Sequence, residues 1–459
     1  MSRLARWFLP FSVVVFACES PDVEPLDNAP DAAVAAAGCP ALNGQELAHQ
    51  NDITTAETWP GDGTVHRITF GITIRPGGSL TLAPCTVVKV NSGLVLTVSG
   101  TPTAPAKLVS LGTAARPVLI TSAAPGQSWG TWRGLTPEST FELAYTTLEN
   151  GGNGGVHGAS LSLRGNGPPE SAAIPMLKAD HLVIKDSAGT GLVLESGAAF
   201  TADSTEVTVT GGGGSENADH AIEITPIAAG TLPALHVSGN AHDAIRITAG
   251  SLYISRDLTL KNLGVPYYFY FDRVRITDMS GGVTPTLTIQ AGVELRFDDY
   301  LEVGFANPGM VSQPGRLIAV GTATQPIIFT SSKTTRAAGD WPGIWLFNAA
   351  GSRLENVHIE FAGGSNGIVS ANCRPTGTSD DAALFIGSKG HSYIPAASDL
   401  VGVSISNSKG HGINAMWETS GAYAPDLTSG VSFAAINGCR QTKNGTTTGC
   451  VGGAGCAVP

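Results

Sequence analysis

The sequence contains an internal duplication, and this feature limits what the chain can fold into more than any other. Four segments of a first section each resemble a segment of a second section: Leu80–Val90 resembles Leu287–Phe297, Gly112–Ser122 resembles Gly321–Ser331, Trp132–Gly134 resembles Trp341–Gly343, and Leu143–Gly152 resembles Leu354–Gly363. Because the offset stays between 207 and 211 residues, we infer two copies of one structural unit, at about residues 60–155 and 266–364. We expect one continuous structure in which Trp132 and Trp341 are equivalent core residues.

Each copy consists of short runs in which apolar and polar residues alternate. Leu94–Val98, Leu108–Leu111 and Pro117–Thr121 are examples, and glycine, asparagine or proline separates the runs. Such alternation between turn residues predicts β-strands. Glycine accounts for 58 of the 459 residues and charged residues for 14%, against about 25% in an ordinary domain, which favours an all-β fold with many turns. The window 43–58 has a weak helical period and is interpreted as a cap.

A smaller motif recurs at intervals of about 20–30 residues or multiples of that length. A turn residue, most often asparagine or aspartate, is followed by small or polar residues and then an aliphatic strand, as in Asp186–Leu192, Asn217–Ile222, Asn240–Ile245, Gly363–Ile368 and Asn407–Ile413. One such unit cannot bury its own apolar face, so the units must stack on each other. Three short strands and three turns per unit make one coil of a parallel β-helix.

A family resemblance agrees with this interpretation. Gly321–Ser331, followed by Gly339–Trp345 and Leu354–Gly363, resembles the right-handed parallel β-helix repeat proteins of bacterial surfaces, over roughly residues 60–440. The resemblance implies an all-β, right-handed parallel β-helix (a solenoid), and we expect an N-terminal cap and a disulfide-rich C-terminal end. A β-propeller, with blades of about 40–50 residues, and a stack of β-sandwiches joined by hairpins both fit the irregular coils less well.

The N-terminus is predicted to be a secretory signal peptide, residues 1–17. Arg3 and Arg6 precede the apolar stretch Trp7–Ala17, which at 11 residues is too short to cross about 30 Å of hydrocarbon as a helix. The sequence therefore predicts an exported protein.

The end of this segment resembles a bacterial lipobox. Val15–Cys18 has the aliphatic residue and the cysteine of that motif, although Phe16 replaces the usual small residue. The resemblance implies that Cys18 is acylated, and residues 18–38, which are acidic and rich in proline, are interpreted as an extended tether. We expect a lipoprotein of the outer membrane or cell surface; an ordinary signal peptide or cleavage elsewhere is the alternative.

Six further cysteines are candidates for disulfides, because an even number in an exported chain favours pairing: Cys39, Cys85, Cys373, Cys439, Cys450 and Cys456. Cys39 and Cys85 are expected to pair, since the other four lie in the last part of the chain. Those four are expected to form two bridges of unknown connectivity. They show no spacing typical of a zinc site.

Three residues resemble fragments of a polygalacturonase signature. Asp380 and Asp381 form an Asp-Asp pair, and His411 lies in a Gly-His-Gly segment. The Asn-x-Asp and Arg-x-Lys parts of that signature have no match, and His411 occupies the variable position of the recurring turn motif. We therefore expect these carboxylates and the imidazole to lie well apart, beyond the reach of direct proton transfer.

Two carboxylate–arginine groups were considered for a calcium-dependent lyase. They are Asp298 and Asp299 near Arg296, and Asp243 near Arg246. The first pair is interpreted as a solvated turn, and a calcium ion between neighbouring coils stays open as an alternative.

Aromatic side chains are the remaining candidates for contact with sugar rings. Trp129, Trp345, Trp417 and the run Tyr267–Phe271 offer such faces, although the alternation in the run predicts a strand. The net charge of −11 disfavours nucleic acid as a partner, and we expect no cofactor and no metal.

These observations predict a non-enzymatic cell-surface lipoprotein whose β-helix serves adhesion, envelope structure or glycan binding. Its expected partners are the membrane, through the lipid anchor, and a glycan or surface protein. The alternative is a polysaccharide lyase or glycoside hydrolase on the same fold.

Overall fold

Short strands that pair in parallel make up the computed structural model. It describes residues 38–153, 158–167, 172–213, 220–248, 252–270, 273–305, 312–365, 381–388, 399–417 and 426–445, which all belong to one compact unit. Within these residues the first strands, in chain order, are β1 (Glu46–His49), β2 (Ala56–Trp59), β3 (Val65–Ile68), β4 (Ile72–Ile74), β5 (Ser79–Leu82), β6 (Val87–Val90), β7 (Leu96–Val98), β8 (Ala106–Leu111), β9 (Val118–Ser122), β10 (Trp132–Gly134), β11 (Ser139–Ala144), β12 (Thr146–Glu149), β13 (Ala159–Arg164), β14 (Ile174–Asp180), β15 (Leu182–Lys185), β16 (Thr190–Glu195), β17 (Ala198–Phe200), β18 (Glu206–Thr210) and β19 (Ile222–Ile224).

A single helical turn, α1 (Pro226–Ala229), follows β19. The later strands are β20 (Ala234–Ser238), β21 (Ile245–Ile247), β22 (Leu252–Ile254), β23 (Leu258–Leu260), β24 (Tyr267–Phe269), β25 (Val274–Ile276), β26 (Thr286–Ile289), β27 (Glu294–Phe297), β28 (Leu301–Val303), β29 (Arg316–Val320), β30 (Ile327–Ser331), β31 (Ile344–Leu346), β32 (Arg353–Glu355), β33 (Val357–Glu360), β34 (Ala382–Ser388), β35 (Leu400–Val401), β36 (Val403–Ser408), β37 (His411–Trp417), β38 (Val431–Ile436) and β39 (Gln441–Gly445).

The strands stack into long parallel sheets, each strand pairing with the strand one coil further along the chain. In the described residues sheet A has the order β1-β3-β6-β9-β12-β15-β18-β20, and sheet C the order β17-β14-β11-β8-β5-β2. Sheet B runs through both sections, β38-β36-β33-β30-β27-β24-β21-β19-β16-β13-β10-β7-β4. Sheet D is β22-β25-β28-β31-β34-β37-β39, and sheet E is β23-β26-β29-β32-β35. This arrangement confirms the predicted parallel β-helix.

The core is a set of inward-facing ladders, one residue from each coil. On sheet A one ladder joins Val88, Ile120, Leu148, Ile184 and Val209 through the strand registers, and all five side chains are fully buried. Each buried aliphatic contributes roughly 1.5–3 kcal/mol relative to exposure. The alternation seen in the sequence is therefore the alternation between the inside and the outside of the coils.

The turns of the two copies have matching backbone conformations. Tyr145 and Asn356 have φ of 41° and 48°, and Asn150 and Phe361 have φ of 58° and 59°. Non-glycine residues seldom adopt this left-handed region. The left-handed conformation therefore recurs at positions that correspond in the two copies.

The tryptophans of the two copies correspond differently from the sequence alignment. Trp132 and Trp341 are both fully buried, as predicted, but the indole N–H of Trp341 donates to the carbonyl of Glu360 at 2.7 Å. Trp129 makes the same bond to Glu149, also at 2.7 Å, whereas the indole N–H of Trp132 has no hydrogen-bond partner among the described residues. The predicted equivalence of Trp132 and Trp341 is wrong; Trp129 is the counterpart.

The second copy is also rotated by one face of the β-helix relative to the first copy. Strand β6 belongs to sheet A, but its sequence counterpart β27 belongs to sheet B. Helix α1 packs against β17, β22 and β23, at the point where sheet C ends and sheets D and E begin. Sheet B stays continuous because β21 pairs with both β19 and β24.

The window 43–58, interpreted from its weak helical period as a cap, contains strands β1 and β2 at the N-terminal end. Each pairs in parallel with the next coil, β1 with β3 and β2 with β5. A weak helical period over so short a window does not outweigh the hydrogen bonds that a neighbouring strand edge offers.

The predicted disulfide between Cys39 and Cys85 is confirmed, with the two Cα atoms 5.4 Å apart. Cys85 has φ of 74°, in a turn where the related repeats have glycine. Cys439 is also disulfide-bonded, and its partner lies outside the described residues.

Several predictions fall on residues outside the described ranges. These are the signal peptide 1–17, Cys18 with its tether up to residue 37, Cys373, Cys450 and Cys456. Among the described residues no helix is long and apolar enough to cross a membrane.

Candidate functional site

The residues that resembled a glycosidase signature have a structural role where they are described. Asp380 lies outside the described residues, but the backbone N–H of His411 donates to the carbonyl of Asp381 at 2.8 Å. The pairing of β34 with β37 places Asp381 and His411 in neighbouring coils through their backbones, and the expected separation of the carboxylates from the imidazole stays a prediction. The His411 imidazole is buried, and its Nδ1 accepts the backbone N–H of Cys439 at 2.8 Å. The Nδ1 atom of His411 is therefore engaged in a hydrogen bond with the backbone.

Asp243 and Arg246 do not form a shared site. The Asp243 carboxylate accepts the backbone N–H groups of Gly239 and Asn240, at 3.1 and 3.0 Å, and so closes its own turn. Arg246 instead donates to Glu223 at 2.8 Å. The two side chains therefore have separate partners.

Asp298 is not the solvated turn residue that the sequence predicted. Its Oδ2 accepts the phenol of Tyr268 at 2.6 Å, and its Oδ1 accepts the hydroxyl of Ser332. Tyr268, Asp298 and Ser332 lie on or beside β24, β27 and β30, which are adjacent in sheet B. Stacking of the coils brings together side chains that are distant in sequence.

These contacts belong to a larger cluster on the outer face of sheet B. We call it the B-face patch, and it comprises His220, Glu223, His242, Arg246, Tyr268, Tyr270, Asp298 and Ser332. The strand registers place Glu223, Arg246, Tyr268 and Arg296 in one outward row over four successive coils. At about 4.8 Å per strand this row spans roughly 14 Å.

One half of the patch is an ion pair covered by an aromatic ring. The side chains of Glu223 and Arg246 are only 13% and 11% exposed. The guanidinium carbon of Arg246 lies 3.7 Å from the ring centroid of Tyr270, a cation–π contact. Glu223 thus neutralises the charge of Arg246, and the ring of Tyr270 covers the face of the Arg246 guanidinium.

The other half is a stack of rings next to the Asp298 carboxylate. The ring of His220 lies 4.8 Å from His242 and 5.1 Å from Tyr268, centroid to centroid. His220 is buried, His242 is exposed and Tyr268 is half-buried. Burial and the hydrogen bond to Asp298 raise the pKa of the Tyr268 phenol far above its ordinary value.

This arrangement suits a ligand rich in hydroxyl groups. It offers aromatic edges and faces together with hydroxyl and carboxylate groups, the combination that typically orients small ligands in binding sites. Its carboxylates outnumber its arginine, which disfavours a polyanion. Among the described residues no three histidine, cysteine, aspartate or glutamate side chains are grouped to hold a metal ion.

A second outward cluster lies on sheet D, and sequence reasoning missed it. Arg275 donates to Glu302 at 2.7 Å, in a row that continues through Trp345. Tyr300 stacks on Trp345 at 4.0 Å, and Glu302 and Trp345 are only 3% and 2% exposed. The sequence does not show which outward residues of a β-helix are buried. Outward residues alternate with core residues in every strand, whether or not something covers them.

Two of the three tryptophans proposed to stack on sugars are not exposed. Trp129 and Trp345 are buried, and the side chain of Trp417 lies outside what the structure describes. The aromatic run begins with strand β24, as predicted, with Tyr267 pointing inward and Tyr268 outward.

The first coils contain a histidine pair in which His66 is buried and His49 is half-buried. His66 Nε2 donates to the carbonyl of Pro60 at 3.0 Å, so its Nδ1 is the acceptor for His49 Nε2, also at 3.0 Å. Trp59 stacks on His49 at 3.8 Å. Burial, and then the neighbouring His66, lower the pKa of His49 to about 4, so the pair is neutral at neutral pH.

Comparison with known proteins supports the fold. A family described as a pectate-lyase-like beta helix domain matches residues 277–367, which lie within the second section and its flanks. No curated protein and no solved structure matches the chain. The strand stacking and this match together define a parallel β-helix protein.

Proposed function

We propose that the protein is a non-enzymatic, lipid-anchored surface scaffold that binds a neutral glycan at the B-face patch. The observation that carries this proposal is the half-buried Tyr268, which combines a ring tilted against His220 with a phenol bonded to Asp298. A hydroxyl-rich, uncharged ligand matches these groups. The pectate-lyase-like match favours a lyase or hydrolase as the second candidate.

The charges of the patch favour the first candidate over the second. A lyase acting on acidic polysaccharide needs a cation facing its substrate, and Arg246 is committed to Glu223 at 2.8 Å. The Glu223–Arg246 pair is neutral overall, and Asp298 adds negative charge to the same face. These groups support a neutral sugar.

The chain that leads into β1 runs along one corner of the β-helix. Residues 38–45, which we call the strap, run along the corner between sheets C and A. Asn43 bonds to Gly63 in that corner, and Cys39 is bridged to Cys85 in the next turn.

Glycan binding is expected to depend on Tyr268. The purified full chain is expected to bind neutral oligosaccharides on a glycan array, and Tyr268→Ala is expected to weaken that affinity about tenfold, which corresponds to about 1.4 kcal/mol. Isothermal titration with the best array hit measures the change. Tyr145→Ala is the matched control, because Tyr145 stacks on His181 at 4.4 Å away from the patch.

Two results would contradict the glycan proposal. One is equal loss of affinity in both tyrosine variants. The other is selective binding of polyuronides together with release of unsaturated products, which would establish the lyase.

Anchoring is expected to depend on Cys18. Cys18→Ala is expected to move the protein from the detergent phase to the aqueous phase in a phase-partition experiment, or to leave an uncleaved precursor, because the acyl acceptor is lost. Mass spectrometry of the N-terminal peptide detects the acyl groups, and Ser12→Ala is the control within the leader. A wild-type protein that lacks acyl groups and partitions into the aqueous phase would overturn this expectation.

A further inference from the structure

The strap is held to the body of the helix chiefly at its two ends. Its second half is attached by backbone hydrogen bonds, Asn43 to Gly63 at 3.0 Å and Val65 to Gln45 at 2.9 Å. At its first half the covalent attachment is the disulfide from Cys39 to Cys85. Most strap residues are exposed, and Cys39 is half-buried. Cys39 is therefore the more exposed of the two bridged residues.

The two sulfurs of this bridge have different surroundings. Cys85 is buried, and its Sγ accepts a hydrogen bond from Nε of Arg116 at 3.4 Å. Arg116 holds its position in a tight turn closed by two backbone bonds to Thr113. A guanidinium at this distance stabilises a thiolate on Cys85, and a sulfur that is more stable as a thiolate leaves faster in thiol–disulfide exchange.

We propose that Cys39 is a site of thiol–disulfide exchange with small thiols of the glutathione class. The incoming thiolate forms a bond to Sγ of Cys39, and the Cys39–Cys85 bond breaks. The electron pair of the broken bond stays on Cys85, which becomes a thiolate that Arg116 stabilises. A second thiolate can then attack the mixed disulfide, so that two electrons from two thiols reduce the bridge. Release of Cys39 frees the exposed strap that leads into β1.

The position of the adduct tests the direction of attack. The full chain is incubated with reduced glutathione, free thiols are trapped with an alkylating agent, and tryptic peptides are assigned by mass spectrometry. We expect glutathione on Cys39 and the alkyl group on Cys85. Glutathione mainly on Cys85, or divided equally, would overturn the proposal.

The rate of exchange tests the role of Arg116. Arg116→Gln is expected to slow formation of the Cys39 adduct several-fold, and Arg116→Lys is expected to restore part of the rate because it keeps the charge. Arg133→Gln is the control, since Arg133 donates to Thr97 at 3.0 Å, away from the bridge. Equal rates in wild type and Arg116→Gln would contradict the assignment, and the adduct position in wild type stays decisive even if the variant folds poorly.

Discussion

Replacing Trp341 with alanine is expected to lower the free energy of unfolding by about 3–5 kcal/mol. The side chain is fully buried, its indole N–H donates to Glu360 at 2.7 Å, and its ring stacks on Phe297 at 5.0 Å. Alanine leaves a cavity between coils and an unpaired carbonyl. Urea denaturation followed by circular dichroism measures the loss.

Phenylalanine variants separate the hydrogen bond from the packing. Trp341→Phe and Trp129→Phe are each expected to cost about 1–3 kcal/mol, because both indoles donate to a buried carbonyl. Trp132→Phe is expected to cost less, since its indole N–H has no partner among the described residues. If Trp132→Phe cost as much stability as Trp341→Phe, and Trp129→Phe cost less, the sequence alignment of Trp132 with Trp341 would be the better one.

The fold was predictable because each coil repeats the same requirement. An inward ladder such as Val88, Ile120 and Leu148 needs an aliphatic residue at alternate positions in every coil, and that recurrence is visible without a structure. Which tryptophan of the first copy corresponds to Trp341 was not predictable. Trp129 and Trp132 lie three residues apart and are both fully buried, but only the indole N–H of Trp129 donates to a carbonyl, that of Glu149.

The displacement of the second copy by one face had no signal in the sequence either. It arises where α1 replaces a strand between β17 and β22, and a helix of four residues leaves no periodic pattern. The duplication therefore predicted the local structure of each copy, but not which sheet would continue through both.

The candidate site was largely hidden for a related reason. The B-face patch draws residues from His220 to Ser332, and no short motif contains more than two of them. Alternation in the aromatic run did predict that Tyr267 and Tyr268 point to opposite sides. Their partners depend on strand register between coils, which the sequence does not specify. The lipid anchor and the C-terminal disulfides stay predictions.

Removing Arg275 is expected to have an equally large effect on stability. Arg275→Met is expected to lower the free energy of unfolding by about 3–5 kcal/mol at neutral pH. The reason is that the Glu302 side chain, only 4% exposed, loses the guanidinium that bonds to it at 2.7 Å. A buried carboxylate without its cation is far more costly than the pair. Urea denaturation at several pH values measures the effect.

The sign of the pH dependence follows from the pKa of Glu302. Burial raises this pKa above its ordinary value, and Arg275 opposes the rise. Without Arg275 the pKa rises further, so the folded variant binds a proton that the unfolded chain, with an ordinary glutamate pKa of about 4.3, has released. The contribution of a group with a raised pKa is present at low pH and is lost as the pH rises. The deficit of Arg275→Met is therefore expected to be larger at pH 8 than at pH 5.

Two further variants decide whether the buried charge is the cause. The double variant Arg275→Met with Glu302→Gln is expected to recover most of the lost stability and to lose the pH dependence, because no buried charge is left. Arg353→Met is the matched control: Arg353 pairs with Glu355 but is 53% exposed, so its loss is expected to cost less than about 1 kcal/mol. A double variant as unstable as Arg275→Met at every pH would show that the arginine acts through packing, for example against Phe305 at 5.1 Å, rather than through its charge.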